Sequence, residues 1–306
     1  MSVQTFELLI LGSSAATPTA NRNPTAQLLN IAERFFLIDC GEGTQIQMRK
    51  FKARFQSVNH VFISHLHGDH FYGLPGFLAS MHLLGRKNEL TIYGPKELEE
   101  IINMIHKHSD TYLNYALKFI YTQNSIKQLI FEDEKVEVYS IPLKHRIPTT
   151  GYLFKEKPLS RNIDKYKLEK LDVSFAEIHK LKQGLDAVDN NGDTIKNIEL
   201  TIDPPKQRSY AFCSDTKFFE ELSHDIKDVD LLYHESTFLE EKKDRAKQTF
   251  HSTAKQAAQM ALLANAQKLI LGHFSARYGN LDEFLVEAKP IFANTELAIE
   301  GIVYSL

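Results

Sequence analysis

Four short apolar runs of this chain each lead directly into side chains that can bind a metal ion. The four ends are the segment His65–His70 and the single residues His145, Asp215 and His273. Short apolar runs bounded by turns are typical of buried strands. Because α/β folds present their sites where hydrophobic strands end at a sheet edge, the pattern predicts an α/β fold with one such site.

The densest of these ends is the sequence ISHLHGDH, which follows the apolar run Val61–Ile63. It offers four possible ligands within six residues: His65, His67, Asp69 and His70. Gly68 would let the backbone bend tightly, so that the first two ligands face one metal and the last two face another. The alternative is a His-rich surface turn, but so dense a His/Asp set is a specific metal signal.

The four ends together offer five imidazoles and two carboxylates. One tetrahedral zinc ion cannot use seven ligands. The set suits two metal ions that share a bridging carboxylate, and such hydrolytic sites hold their ions ~3.5–4 Å apart. Taken singly, His145, Asp215 and His273 are equally consistent with ordinary polar groups, so this prediction depends on their combination.

Strands and helices alternate along most of the chain. Helices are predicted over residues 71–85, 96–110, 252–265 and 281–292, and a last strand is predicted over 297–306. Thr253 and Gln256 have the spacing of a capping box at the start of the third helix.

Residues 157–200 interrupt this alternation. They are rich in polar residues and contain the breakers Gly184 and Asn-Asn-Gly. From Lys155 to Lys182 the chain carries eight Lys or Arg against five Asp or Glu. The composition predicts an insertion, and the alternative is a solvated surface excursion.

The overall composition limits the class of protein. With 306 residues and 43% apolar residues, the chain can bury a sizeable core. Its two cysteines, Cys40 and Cys213, predict buried reduced thiols rather than a disulfide scaffold. A net charge of −3 argues weakly against non-specific nucleic-acid binding. Without a basic leader or an apolar stretch of ~18 residues, we expect a soluble, cytoplasmic protein with no membrane partner.

The His-x-His-x-Asp-His pattern after a short strand resembles the signature of the metallo-β-lactamase superfamily, an αββα sandwich with a dinuclear site between two sheets. Further segments, in order along nearly the whole chain, resemble the ribonuclease Z family, whose members trim tRNA precursors at the 3′ end. These segments are LGSSAATPTANRN, LIDCGEGTQIQM, SHLHGDHFYGLPG, FCSDT, LYHEST, HSTAKQAA and LGHFSARY.

The resemblance implies which residues hold two zinc ions. One ion would be held by His65, His67 and His145, the other by Asp69, His70 and His273, with Asp215 as the bridge. Asp69 also matches the family's proton acceptor, because a carboxylate beside metal-bound water can take its proton. Zinc lowers the pKa of bound water towards ~7, so the resemblance implies that hydroxide attacks phosphorus at neutral pH.

His251 and Glu235 match a proton-delivery pair for the departing 3′ oxygen. In the alternative interpretation, His251 belongs only to a helix cap, and His234 with Glu235 braces the metal ligands. The remaining histidines are interpreted as surface or core residues: His60, His82, His106, His108, His179 and His224.

The resemblance also implies that residues 157–200 form a protruding arm that grips the tRNA body. The sequence KLKQG at Lys180–Gly184 resembles the family's arm motif, but the expected Gly-Pro pair is absent, so we expect a differently built tip. The family is typically a homodimer in which one arm serves the neighbouring site. Arg22 and Asn23 are either phosphate contacts or part of a turn held by Asn and Pro.

The leading hypothesis is therefore a zinc-dependent endoribonuclease that acts on 3′-extended tRNA precursors, with a 3′-hydroxyl left on the tRNA and a 5′-phosphate on the trailer. One alternative is a thioester, lactone or β-lactam hydrolase, which needs neither an arm nor a leaving-group histidine. The other is a non-catalytic RNA-binding module, which has no need for a carboxylate beside a metal-bound hydroxide.

Overall fold

The structure is a computed structural model that describes residues 4–169 and 173–306. Residues 1–3, at the N-terminus predicted to lack a leader, and residues 170–172, inside the predicted insertion, lie outside the described residues. The chain divides into two compact units, one of Gln4–Lys155 with Arg208–Leu306 and the other of Glu156–Gln207.

The described residues form short strands and short helices throughout. The strands are β1 (Phe6–Gly12), β2 (Ser14–Ala15), β3 (Ala26–Ile31), β4 (Arg34–Cys40), β5 (Val58–Phe62), β6 (Leu90–Gly94), β7 (Leu117–Tyr121), β8 (Gln128–Glu132), β9 (Val136–Leu143), β10 (Thr149–Glu156), β11 (Asn162–Ile163), β12 (Ala187–Val188), β13 (Thr194–Ile195), β14 (Thr201–Ile202), β15 (Ser209–Cys213), β16 (Leu231–Glu235), β17 (Lys268–Gly272), β18 (Phe274–Ser275), β19 (Thr295–Leu297) and β20 (Val303–Ser305). The α-helices are α1 (Thr44–Lys50), α2 (Gly68–Phe71), α3 (Leu74–Leu83), α4 (Glu97–His108), α5 (Lys165–Leu168), α6 (Phe175–Lys182), α7 (Asn197–Leu200), α8 (Leu222–Asp225), α9 (Lys243–Thr249), α10 (Ala254–Leu263) and α11 (Asp282–Ala288).

The larger unit is built on two seven-stranded sheets. The first has the order β20-β1-β3-β4-β5-β6-β7, and the second has the order β19-β17-β16-β15-β10-β9-β8. In the first sheet β4, β5, β6 and β7 run parallel. In the second sheet β15, β16, β17 and β19 run parallel. Each sheet therefore has a set of parallel strands whose carboxyl ends share one edge.

The two sheets pack face to face, with helices on their outer faces. Phe62 of the first sheet has its ring 5.1 Å from the Tyr152 ring and 5.3 Å from the Phe154 ring of the second. Apolar residues of α3 and α4 cover the other face of the first sheet. Alanines of α10 pack on the second sheet. Each sheet buries two apolar faces in this way, so the predicted αββα sandwich of the metallo-β-lactamase superfamily is confirmed.

Most predicted elements of this unit are confirmed, including the capping box of Thr253 and Gln256. The single last strand over 297–306 is wrong, because β19 lies in the second sheet and β20 in the first. Gly301, with φ +84°, turns the chain between them. The predicted helix 281–292 ends at Ala288, two residues before Pro290, which has no N–H to continue the helical hydrogen bonds.

The helix predicted over 71–85 is divided in two. It separates into α2, which starts at Gly68, and α3, which starts at Leu74. Gly73 joins them at a point of close backbone approach, where an added Cβ would lie 2.0 Å from the carbonyl oxygen of Gly41.

The unit of residues 156–207 has a small core of its own. Its strands pair as β11 with β14 and β12 with β13. The core consists of Leu181, Ala187, Ile195 and Leu200. Two large aromatic side chains of this unit remain exposed, Tyr166 at 83% and Phe175 at 91% of their surface. Exposure on this scale leaves both rings available for contacts with another molecule.

Cys40 and Cys213 are buried free thiols, as predicted, and burial raises the pKa of the Cys40 thiol to about 12. Within the described residues, no helix has the length and apolar character needed to cross a membrane.

Candidate active site

Polar side chains follow the parallel strands of both sheets at their carboxyl ends. They are Asp39 in β4, His65 after β5, Asp215 after β15, Glu235 in β16 and His273 after β17. Three of them, Asp39, Asp215 and His273, have positive φ values of 53°, 55° and 58°. Left-handed backbone at a residue other than glycine is strained, and such strain persists at functional sites because surrounding contacts fix it.

Seven side chains place their ligand atoms in two adjacent groups. The first ligand group consists of His65 Nε2, His67 Nδ1, His145 Nε2 and Asp215 Oδ2, with separations of 2.9, 3.2, 3.6 and 3.6 Å between contacting atoms. The second ligand group consists of Asp69 Oδ2, His70 Nε2, His273 Nε2 and Asp215 Oδ1, with separations of 3.0, 3.2, 3.3 and 3.4 Å.

These separations match the edges of a metal coordination polyhedron. Zinc–nitrogen distances of ~2.0–2.1 Å in a tetrahedron place neighbouring ligand atoms ~3.4 Å apart. Asp215 contributes one carboxylate oxygen to each ligand group, so it occupies the position of a bridge. His67 presents Nδ1 whereas the other four imidazoles present Nε2.

The protein fixes which nitrogen of these imidazoles carries the proton. His70 Nδ1 lies 2.7 Å from Asp39 Oδ2, and His145 Nδ1 lies 3.0 Å from the carbonyl oxygen of Phe250. Both oxygens are acceptors, so each Nδ1 donates a proton. The Nε2 atoms of both rings are then unprotonated in the neutral imidazole and present lone pairs to the ligand groups.

Hydroxyl groups accept the Nδ1 protons of His273 and His65 in the same way. Thr237 Oγ1 donates to Glu235 Oε2 at 2.7 Å and lies 3.0 Å from His273 Nδ1, so it accepts that ring's proton. Ser64 Oγ donates to Asp39 at 2.9 Å and lies 3.0 Å from His65 Nδ1. These partners orient the ligand rings, as is usual around metal sites.

The donor set therefore fits a metal cofactor. His70 Nε2 is buried and makes no hydrogen bond within the described residues, although it lies 3.2 Å from Asp215 Oδ1. Burial would raise the pKa of the Asp215 carboxyl, but the imidazoles of His273, His70 and His65 outweigh burial and hold this pKa well below its usual range. An ionised carboxylate buried among imidazole nitrogens is suited to a bound cation.

Glu235 and His251 form a hydrogen-bonded pair beside these groups. His251 Nδ1 donates to Glu235 Oε1 at 2.8 Å, and its ring stacks on the His273 ring at 5.5 Å. Burial lowers the pKa of His251, but Glu235 outweighs burial and raises it. The ligand atom of His251 also lies within 4.8 Å of those of Asp215 and His273. His251 is thus positioned to donate a proton within the site.

Glu235 contacts more of the site than the sequence suggested. It also accepts hydrogen bonds from the backbone N–H groups of Thr216, Thr237 and Ser252. Thr216 follows Asp215 directly, so this one buried carboxylate fixes both the bridging ligand and His251. His234 points elsewhere and contacts only the backbone of Glu235 through Nδ1.

A cavity of about 560 Å³ opens over the ligand groups. Its walls include His67, Asp69, Asp215, His251 and His273, together with three exposed arginines, Arg146, Arg245 and Arg277. Within the described part of the chain, none of the three arginines forms an ion pair with a carboxylate. We call these three arginines the rim. Guanidinium groups without a carboxylate partner around a cavity favour a substrate that carries phosphates.

Two expectations from the sequence change in the structure. Arg22 donates to the backbone carbonyls of Ser275 and Tyr278, and Asn23 donates to Glu300. Both side chains thus contact protein groups, which disfavours the predicted phosphate contacts. The φ angle of Gly68 is not positive. Glycine is needed at position 68 for lack of space instead, because an added Cβ would lie 2.3 Å from the Tyr72 ring.

Sequence reasoning missed three residues that support the ligands. Asp39 follows the same strand-end pattern as the ligands, in LIDCGEG, and could have been found from it. Thr237 carries no local signal, because a threonine beside a glutamate is common. Ala16 contributes only its backbone, donating its N–H to Asp69 Oδ2 at 2.7 Å, which side-chain patterns cannot show.

Similar proteins show which family has this site. The chain is 51% identical over 297 residues to "Ribonuclease Z" of Cytophaga hutchinsonii, covering 97% of this chain and 95% of that protein. It is 43% identical to "Ribonuclease Z" of Parabacteroides distasonis, covering 98% and 99% of the two chains. The chain belongs to the ribonuclease Z family. The crystal structure of human tRNase Z, short form, matches it with a TM-score of 0.70 and 27% identity over 98% of both chains.

A comparison with family models gives a second family. Residues 6–283 match the family model described as anti-Pycsar protein Apyc1, so the chain belongs to that family as well. The structure of the metallo-β-lactamase fold protein YhfI from Bacillus subtilis also has a TM-score of 0.70, at 17% identity, which shows the fold alone. The chain is therefore a hydrolase that uses a metal cofactor.

Proposed function

We propose that this chain is a zinc-dependent endoribonuclease that removes the 3′ trailer from tRNA precursors. The observation that carries the proposal is the sharing of Asp215 between two ligand groups, in a chain that matches "Ribonuclease Z" proteins over nearly its full length. A metal-dependent hydrolase with this family membership acts on a phosphodiester bond of RNA.

Two zinc ions are the proposed cofactors. Five imidazole nitrogens and two carboxylates suit zinc, whereas magnesium and calcium prefer all-oxygen sites. The first ligand group would hold one ion and the second ligand group the other. When bound, a pair of zinc ions lowers the pKa of a water nucleophile and stabilises negative charge on the phosphate.

The protein's own residues handle the protons of the reaction. Asp69 lines the cavity and would accept a proton from the attacking water. His251 lines the same cavity, and Glu235 favours its protonated form, so it would give a proton to the departing 3′ oxygen. The bond between phosphorus and the 3′ oxygen breaks, which leaves a 3′-hydroxyl on the tRNA and a 5′-phosphate on the trailer.

The rim supports a polyanionic nucleic-acid substrate over the smaller alternatives. Three arginines without a carboxylate partner can contact successive phosphates of RNA, whereas a thioester, lactone or β-lactam carries few charges or none. The exposed Tyr72, which also lines the cavity, offers a ring on which a base can stack.

Residues 157–200 are proposed to bind the tRNA body as an arm. Their exposed Tyr166 and Phe175 can stack on bases, and exposed lysines can contact phosphates. The KLKQG motif lies at the end of α6, where Gly184 has a φ of +88°. This glycine ends the helix.

A homodimer is proposed from the composition of α3. Leu74–Leu83 carries no Asp, Glu, Lys or Arg, although the side chains of Ala79 and Ser80 are half-buried and Leu83 is 81% exposed. A helix without a charged face is usually covered by other protein. A second copy of the chain is the proposed cover, and sedimentation of an Ala79→Arg variant as a monomer, with the wild type as a dimer, would support it.

A product-mapping assay tests the proposed activity. The protein is incubated with a 3′-extended tRNA precursor, a β-lactam and a glutathione thioester. We expect one cut in the RNA, with a 3′-hydroxyl on the tRNA and a 5′-phosphate on the trailer, and no turnover of the other two. Hydrolysis of the thioester or the lactam with intact RNA would contradict the proposal.

A further inference from the structure

Glu300 lies far along the sequence from the residues of the site, and its carboxylate accepts four hydrogen bonds. Its Oε1 accepts from the backbone N–H groups of Ser13 at 3.3 Å and Asn23 at 2.6 Å. Its Oε2 accepts from the side-chain amides of Asn23 and Gln47, both at 2.8 Å. Hydrogen bonds to an ionised carboxylate are stronger than those between neutral groups. A half-buried side chain between β19 and β20 thus joins three distant segments.

These contacts close the loop of residues 13–23 at both ends. Ser13 and Asn23 are the first and last residues of this loop, and the N–H of Ser14 also donates to the carbonyl of Asn23 at 2.9 Å. The N–H of Phe274, next to the ligand His273, donates to the carbonyl of Ser13 at 2.9 Å. The loop therefore has a fixed position against the strand end that carries His273.

The middle of the loop reaches the proposed proton acceptor. Ala16 has a φ of 58° and directs its N–H to Asp69 Oδ2 at 2.7 Å. A left-handed backbone at alanine is strained and holds only when its surroundings impose it. Ala15 and Ala16 also form part of the cavity wall.

We infer that Glu300 is a positioning residue for catalysis, which holds the loop of residues 13–23 so that the Ala16 N–H orients the Asp69 carboxylate. The inference rests on the proposed role of Asp69 in phosphodiester hydrolysis. It gives the RN pair of PTANRN a function, because Arg22 and Asn23 secure the loop instead of contacting phosphate.

The charge of Glu300 is required because all four of its contacts are donors. In Glu300→Gln, the new amide N–H₂ would face at least one of these donors. Either the amide turns away or the loop moves. Both outcomes weaken the hydrogen bond from the Ala16 N–H to the Asp69 carboxylate. Small displacements of a reacting group cost up to ~10²-fold in rate.

The test compares Glu300→Gln with Glu296→Gln. Glu296 is an exposed carboxylate four residues earlier that pairs with Lys268, so it provides the same chemical change without contact to the loop. With an activated aryl phosphodiester, we expect Glu300→Gln to lower kcat by roughly 10- to 100-fold with KM and metal content unchanged. Glu296→Gln should match the wild type.

A second readout needs no catalysis. Amide hydrogen exchange of the metal-free protein should be faster in the peptide containing Ala16 for Glu300→Gln, and unchanged for Glu296→Gln. Asn23→Ala, which removes only one donor, should cause the same changes to a smaller degree. The variant that combines Asn23→Ala with Glu300→Gln should have no lower kcat than Glu300→Gln alone, because both substitutions act on one loop.

Three results would overturn the inference. These are a wild-type kcat for Glu300→Gln, a kcat loss accompanied by loss of metal, and unchanged exchange at Ala16. Failure of the proposed function is a separate outcome, in which the wild type hydrolyses the aryl ester and leaves the tRNA precursor intact.

Discussion

The ligand groups and the rim lie around one cavity and differ in almost every physical respect. His65, His70 and Asp215 are almost completely buried, and protein groups occupy the Nδ1 atoms of both rings. Arg146 and Arg245 are exposed and have no ion-pair partner in the described part of the chain. The first region is held in place by hydrogen bonds from the protein, whereas the second is open to solvent.

This difference separates chemistry from recognition. Buried groups held in place by hydrogen bonds from the protein cannot adapt, so changes there should remove activity on every substrate. Exposed cations act over a distance and are screened by salt, so changes there should alter affinity for charged substrates only. Variants in the two regions can therefore show whether the ligand groups serve chemistry and the rim serves recognition.

The largest effect is expected for Asp215→Ala. It removes the carboxylate shared by both ligand groups, so we expect no measurable turnover of RNA or of an aryl phosphodiester. Elemental analysis should show fewer than two zinc ions per chain. Asp244→Ala, an exposed carboxylate on α9, is the matched control. A fully active wild type with one tightly bound metal would contradict the dinuclear site.

His251→Ala should slow the cleavage of RNA much more than the hydrolysis of an aryl phosphodiester. General acid catalysis contributes ~10²–10⁴-fold, so cleavage of RNA should slow by that factor. An activated aryl phosphodiester has a leaving group that needs no proton, so its hydrolysis should be nearly unchanged. The exposed His224 provides a control through His224→Ala. Equal losses on both substrates would instead indicate that His251 has a structural role.

The seven side chains of the ligand groups could be found from the sequence because their signals are local. Each ligand follows a short apolar strand, and parallel strands of one sheet bring their carboxyl ends together without further instruction. His65 and Asp215 are 150 positions apart in the chain, yet each is evident from the few residues before it. The alternation of strands and helices predicted an α/β fold, and the resemblance to the metallo-β-lactamase superfamily predicted the αββα arrangement.

The supporting contacts could not be predicted in the same way. Glu300 and Asn23 are 277 positions apart, and neither lies in a pattern that indicates the other. The last strand was wrong because a run of apolar residues does not show which sheet each half joins. Whether an arginine is paired also depends on tertiary contacts, so the rim was not visible in the sequence.

Replacing residues 156–207 should separate recognition from chemistry on a larger scale. Lys155 pairs with Ser209 in the antiparallel strands β10 and β15, so a short turn can close a hairpin there. We expect precursor tRNA to bind far more weakly, with a shallower salt dependence. Each lost phosphate contact lowers the log–log slope by ~0.7–0.9. Hydrolysis of the aryl ester should stay near the wild-type rate.

Affinity for the precursor against salt is the deciding measurement for this variant. Coincident lines for the two proteins would show that the segment does not hold RNA. The missing Gly-Pro pair would then mark a loss of that function.

The smallest effect is expected for Arg245→Ala. Arg245 lies on α9, lines the cavity and is exposed, so its proposed phosphate contact resembles a surface ion pair worth up to ~1 kcal/mol. KM for the precursor should rise about two- to fivefold, which is that energy expressed as a ratio, with kcat unchanged. The salt slope should fall by ~0.7–0.9. Lys247→Ala is the matched control, because Lys247 is an exposed cation of the same helix that does not line the cavity. A lower kcat for Arg245→Ala with an unchanged salt slope would place Arg245 among the groups that act on the reacting atoms, and the boundary between the two regions would then lie further out than the buried ligands.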